Sequence, residues 1–431
     1  MTSINWTIKW TTKTSPEFLR IVWSLVSFGF GICFGFRVSI FEFGPRPTFL
    51  LSSALALLCW SLAAAAPLAA DWPTYHGDRA LTGVAAGPLP APGKLVRLWR
   101  YHAGSSVSVP PVAGGGRVFF VNEDGQVGAV SLAGAAAWLA APPAATNSGD
   151  RVYFSAPPLL VGELVVAGTS RGALCALEAD TGRLRWETNA CGGIQGTATW
   201  VERRDSPGAA LVVISQPEGS LHCFDALTGR RLWQSKPTNR TDGSPAASGD
   251  WIVFGNCDAA LHVFAAASGD ELRAIPLGEG AQVAGGVALD GGMIYAGSRG
   301  GDVVCADARS GRIVWKSHGS EAEVFTTPAV DGRHVVYGAN DGGVYALARE
   351  DGRQLWRAEV GASPGSPAIA GSHVAATGGG SLYLLRLEDG LPVWSNRVSD
   401  QITSPAVAAG CIFLGTGEGD IVAFGAARSG K

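Results

Sequence analysis

A unit of about forty residues recurs along this chain, and that period limits its folds more than any single motif does. The most regular copy spans residues 326–356, TTPAVDGRHVVYGANDGGVYALAREDGRQLW. Runs of four to six β-branched and aromatic residues alternate there with Asp331-Gly332, Asn340-Asp341-Gly342 and Glu350-Asp351-Gly352. Such runs have strand composition, and glycine supplies the positive φ that a tight hairpin turn needs. The unit therefore predicts four short antiparallel strands: 328–330, 334–338, 344–348 and one carrying Trp356. One four-stranded sheet cannot cover both its faces, so copies must pack on copies.

Matches to this unit run from 108 to Trp138, from near 155 to Trp186, from near 196 to Trp233, and from 243 to Arg273. Further matches span 285–315, 326–356, 365–394 and 403–424, eight in all. The tryptophans at 138, 186, 233, 315, 356 and 394 are separated by 48, 47, 82, 41 and 38 residues. The long gap spans the fourth unit, where Arg273 stands in the tryptophan position. The eighth unit lacks a fourth strand, and LVRLWRYHAG with Trp99, one period ahead of Trp138, is a fourth strand without a unit. Joining the two gives an all-β, eight-bladed β-propeller of four-stranded blades, closed by the N-terminal strand around Trp99. Each tryptophan lies about four residues past the last turn, on the outermost strand. There a large flat ring can cover the peptide plane of the neighbouring blade, so Trp99, Trp138, Trp186, Trp233, Trp315, Trp356 and Trp394 read as blade-docking residues.

Composition agrees. The 59 glycines among 431 residues are about twice the usual share, and only 16% of residues are charged, which suits many tight turns. The first 70 residues differ from the rest. Arg46, an apolar run from 49 to 66 and the small residues APLAA form a signal-peptide layout over 46–70, with cleavage expected after Ala70. Residues 1–45, with a second apolar run at 21–36, read as a short anchor or as an over-extended start. Cys59, with Leu58 before it and Ala56 three back, fits a lipid-attachment pattern poorly. The body is expected outside the cytoplasm, periplasmic or secreted, with membrane contact only through the N-terminal segment. Residues 71–93 form an N-terminal segment, 94–425 the propeller and 426–431 a tail.

Residues 1–70 hold five of the 33 basic and two of the 36 acidic residues, so the remainder carries a net charge of −6. That is no footprint for nucleic acid. Cys175, Cys191, Cys223, Cys257, Cys305 and Cys411 form no CxxC or adjacent pair. Asp124, Glu218, Asp258, Asp341 and Glu418 recur in the turn between second and third strands, so turn formation accounts for them. His222 and His262 occupy third strands and read as structural. The residues least explained by the repeat are polar ones just before each first strand, near the mouth of the central channel. Asn147, Gln195, Asp242, Gln282, Thr326 and Gln401 are candidates there for a ligand or partner. The insertion at 202–208, with Arg203 and Arg204, is a candidate contact loop.

The stretches VYALAREDGRQLW, ALCALEADTGRLRW and VVCADARSGRIVW resemble the pyrroloquinoline-quinone (PQQ) repeat over about 94–425, and DWPTYHGDRALTG at 71–83 resembles the start of secreted bacterial propellers of that kind. Within this family the chain is similar both to quinoprotein alcohol dehydrogenases and to the non-enzymatic BamB-like branch. The first resemblance implies PQQ with Ca²⁺ and dehydrogenase activity. The second implies no cofactor, no catalysis and partners among cell-envelope proteins, in outer-membrane protein assembly. The chain has no Cys-Cys pair, no CxxCH and no long insertions, and no calcium triad can be placed on its sequence. It departs in these respects from the dehydrogenases, so a binding or scaffold role is the favoured expectation and a quinone-dependent enzyme the alternative.

Overall fold

A computed structural model describes residues 71–143, 152–203 and 208–427. The segment 1–45, the expected signal peptide at 46–70 with Cys59, the candidates Asn147 and Arg204, and tail residues 428–431 lie outside the described residues.

The turn chemistry of the repeat gives short strands. In the most regular blade they run Ala329–Val330, His334–Gly338, Gly343–Ala348 and Gln354–Glu359. Gly342 and Gly352 hold φ of 85° and 72° in its turns, a region that side-chain-bearing residues avoid. Among the described residues the strands form eight antiparallel sheets of four. Seven are built from consecutive strands and are numbered here as blades 1–7 in chain order. In blade 8 the first strand of the described residues, Leu95–His102, pairs antiparallel with their last, Asp420–Ala426. The ring is thereby held by a seam between residues more than 300 apart, with Arg100 opposite Val422 and His102 opposite Asp420.

The core lies between blades. Val166, Leu174 and Ala176 of blade 2 pack in one cluster with Leu211, Val213 and Phe224 of blade 3, and such clusters repeat around the ring. Cys175, Cys223 and Cys305 are buried in these layers as small apolar residues.

The tryptophans bind each blade to the next through two contacts. The ring lies on the glycine of the next blade's last turn: Trp138 on Gly182, Trp186 on Gly229, Trp315 on Gly352 and Trp356 on Gly390. The indole N–H then donates to a carbonyl of that turn, at 2.9 Å for Trp138 to Ala179 and 2.8 Å for Trp356 to Leu387. Trp99 repeats this on Gly134 and Leu132, and Trp233 lies on Gly269. Trp394 faces the seam of blade 8, which has no such turn, and meets Phe424 edge-on at 5.6 Å. Arg273 of blade 4 lies along Gly311 in the tryptophan position. Trp251, on the second strand of the same blade, packs into the blade 4–5 cluster and carries the Arg309 guanidinium over its ring.

Candidate functional site

In an antiparallel blade, the connection to the next blade and the turn between strands two and three share one face of the ring. The other two turns open on the opposite face. The start of each first strand therefore borders the axis on the first of these faces. Here the chain repeats a small residue or threonine followed by Ser or Thr: Gly196-Thr197, Gly243-Ser244, Thr326-Thr327, Gly365-Ser366 and Thr403-Ser404. The second residues form an arc of hydroxyls. Ser244 Oγ accepts the Thr197 N–H at 3.0 Å, Ser366 Oγ the Thr327 N–H at 2.9 Å, and Ser404 Oγ the Ser366 N–H at 2.9 Å. Each hydroxyl thus satisfies a backbone donor of the preceding blade that would otherwise be buried without a partner. Blades approach so closely here that a Cβ on Gly243 would strike the Gly285 carbonyl.

The N-terminal segment fills the ring's inner edge. An innermost strand has no strand beyond it, so its N–H and C=O groups need other partners. Leu160, Ala247, Leu289, Val330 and Ile369, one each from blades 2, 4, 5, 6 and 7, donate to the carbonyls of Pro73, Arg79, Ala80, Thr82 and Gly83. Trp72 exchanges two bonds with Ala113 of blade 1, and Thr199 of blade 3 donates to the Arg79 carbonyl at 3.3 Å. One short segment therefore touches seven blades. Asp78 folds it back by accepting from the N–H groups of Ala80 and Thr82.

At the tip of this plug the Tyr75 hydroxyl meets Ser366 Oγ at 2.6 Å and Thr327 Oγ1 at 3.0 Å. Burial pushes the phenol pKa up while its hydroxyl partners draw it back, so it stays neutral. His76 is buried beside it, with Nδ1 2.8 Å from the Leu81 carbonyl and Nε2 2.9 Å from that of Pro367. Burial lowers its pKa, while the two carbonyls and Asp78 raise it.

Above Tyr75 remains a cavity of about 300 Å³ walled by Gln195, Asp242, Thr326 and the Pro364–Ser366 stretch, among others. Of the six mouth candidates, the structure brings Gln195, Asp242 and Thr326 to this cavity; Gln282 and Gln401 do not wall it, and Asn147 is outside the described residues. Asp242 accepts from Gln216 Nε2 at 2.8 Å and from Arg240 at 3.1 Å. Thr326 is turned toward its own blade, where its hydroxyl donates to the Gly338 carbonyl at 2.8 Å and accepts the Gly338 N–H at 2.9 Å. Arg203 of the insertion lies on another part of the ring, its side chain 12% exposed and paired with Asp225. Sequence position does not single out Tyr75 or the serine arc, although Thr74, Tyr75 and His76 are a polar run with no place in the repeat.

PQQ carries three carboxylates and needs cationic or metal partners to bind. The charged side chain on the cavity wall is Asp242, and Tyr75 stands within the same space. These residues do not fit that group.

The family model described as the outer membrane protein assembly factor BamB matches residues 58–275 and 258–431. The chain belongs to this family. The BamB of Burkholderia pseudomallei is 31% identical over 207 residues, covering 43% of this chain and 52% of that one. The BamB of Shewanella oneidensis is 30% identical over 179 residues, 38% of this chain and 43% of that one. The matched stretches thus span about half the length of these curated relatives. The crystal structure of BamB from Moraxella catarrhalis superposes with a TM-score of 0.64 at 19% identity, covering 78% of this chain and 99% of that one. The quinohemoprotein alcohol dehydrogenase of Comamonas testosteroni gives 0.65 at 15% identity, covering 84% and 82%. At such identities the two superpositions share a fold and no more.

Proposed function

We propose that this BamB-family propeller is an exported scaffold that binds protein partners in the cell envelope, in outer-membrane protein assembly, through the loops at the channel mouth. The observation that carries this reading is the plug. The chain's own N-terminal segment takes the axis, where a propeller enzyme would need room for cofactor and substrate, and leaves Gln195 and Asp242 at the mouth. The assignment of the curated relatives as outer membrane protein assembly factors BamB supports the same reading. A periplasmic location accords with it.

The experiment is capture from envelope extract with the tagged protein and with a Gln195→Ala/Asp242→Ala variant. Envelope proteins recovered by the first and lost from the second are the expected result; recovery of none would count against the reading. Titration with PQQ and Ca²⁺, followed by quinone absorbance and dye-linked alcohol oxidation, is the companion test. Saturable binding with turnover would replace the scaffold reading by the quinoprotein one.

A further inference from the structure

On the face of the ring opposite the mouth, the first turns of blades 1 and 2 and the last turns of blades 2 and 3 enclose a cleft of about 720 Å³. Phe119, Leu160 and Leu164 contribute its apolar lining, and Leu227 stands at its edge. Leu227 occupies the tip of the last turn in blade 3, two residues before the glycine. The same position holds Asp180, Arg309, Glu350 and Glu388 in blades 2, 5, 6 and 7. Blades 1 and 4 have Leu132 and Ala267 there, and blade 3 carries a leucine 65% exposed to solvent, more than any other large apolar residue among those described. Single exposed leucines are ordinary; one this exposed beside an apolar cleft marks a contact surface.

The rim supplies the second observation. Asp71, Glu163, Glu178 and Asp180 line the cleft with Arg117 and Arg185. Arg117 is taken by Asp180, and Arg185 by Glu178, which Arg183 also contacts. Asp71 and Glu163 form no ion pair among the described residues. Two of the four carboxylates at the edge of the apolar cleft are therefore without a cationic partner among the described residues, on a chain that is acidic beyond residue 70.

We propose that this cleft is a second docking surface, taking a polypeptide segment whose apolar side chains are flanked by lysine or arginine. The apolar residues of the segment cover Leu227 and the lining, and its cations meet Asp71 and Glu163. The surface is independent of the mouth, so the ring can hold two partners on opposite faces.

The test uses the full chain and a labelled peptide of alternating leucine and serine flanked by paired lysines, with a glutamate-flanked twin, read by fluorescence anisotropy. Saturable binding of the lysine peptide, at least about tenfold tighter than the twin and weakened as salt rises from about 50 to about 500 mM, is expected. Leu227→Ser and Glu163→Lys should each weaken it about fivefold or more without moving the unfolding midpoint. Gln195→Ala/Asp242→Ala should leave it unchanged, which separates this site from the mouth. Equal binding of the twin, insensitivity to Leu227→Ser, absence of binding, or a Leu227-dependent self-association in sedimentation would each overturn the proposal.

Discussion

Asp420 on the strand Asp420–Ala426 accepts from Arg100 Nε at 2.6 Å and lies 3.0 Å from His102 Nδ1, both on the strand Leu95–His102. Its side chain is 5% exposed, so the seam that closes the ring is clasped by a buried carboxylate between an arginine and a histidine. Replacing the carboxylate by an amide removes the charge and turns one of its two acceptor oxygens into a donor, a loss of about 2 kcal/mol once the half-exposure of Arg100 is allowed for. Asp420→Asn should lower the urea midpoint by that amount. Asp302 makes the same contacts with Lys316 and His318 inside blade 5, where chain connectivity already holds the strands. Asp302→Asn should therefore cost less.

The tryptophan contacts separate ring from N–H. Trp356→Phe keeps an aromatic face on Gly390 but abandons the bond to Leu387, a loss of about 1 kcal/mol. Trp356→Ala empties the contact as well, and should cost about 3–5 kcal/mol. Gly390→Ala would place a methyl 2.5 Å from the ring at a φ of 72°, so it should destabilise by more than Trp356→Phe although it adds a single carbon. Equilibrium denaturation of the three variants gives the order directly.

The architecture was legible because it is repeated. Eight copies of one turn-and-strand pattern average out local ambiguity, and the spare strand around Trp99 had one unit to complete. The site was less legible for the same reason. Serines at 244, 366 and 404 are part of the periodic pattern, so their shared role around the axis does not stand out from it. Tyr75 and His76 belong to a segment outside the repeat, and its path over seven inner strands depends on backbone bonds that any side chains could accompany. Thr326 shows a further limit: its place before a first strand put it at the mouth, but χ1 directs the hydroxyl to Gly338, a choice that sequence position does not carry.

His222 makes stability depend on pH. It is buried between blades 2 and 3, Ser220 Oγ lies 3.0 Å from Nε2, and Nδ1 has no hydrogen-bond partner among the described residues. Burial first, and then Arg231, lower its pKa from 6.5 to about 4. The unfolded chain therefore binds a proton that the native ring refuses. Stability is full above 6.5, falls as pH drops toward about 4, and levels below that, with a contribution of up to about 3 kcal/mol. Denaturation series across this window should show the slope in the wild type, and a shallower one in His222→Gln, which has no proton to take up.

Tyr75 ties the plug to the serine arc, so Tyr75→Phe tests whether the N-terminal segment is held by its backbone or by its tip. The variant keeps the ring and loses the bonds to Ser366 and Thr327. Ser366 Oγ still accepts the Thr327 N–H, and the expected cost is about 1–2 kcal/mol. Because the carbonyls of Pro73 and residues 79–83 remain bonded to the inner strands, the segment should stay in place. Protease cleavage within 71–93 should then rise by a factor matching that cost, without loss of the folded ring. A much larger rise, or loss of the folded ring with it, would mean that the plug and the ring form one cooperative unit.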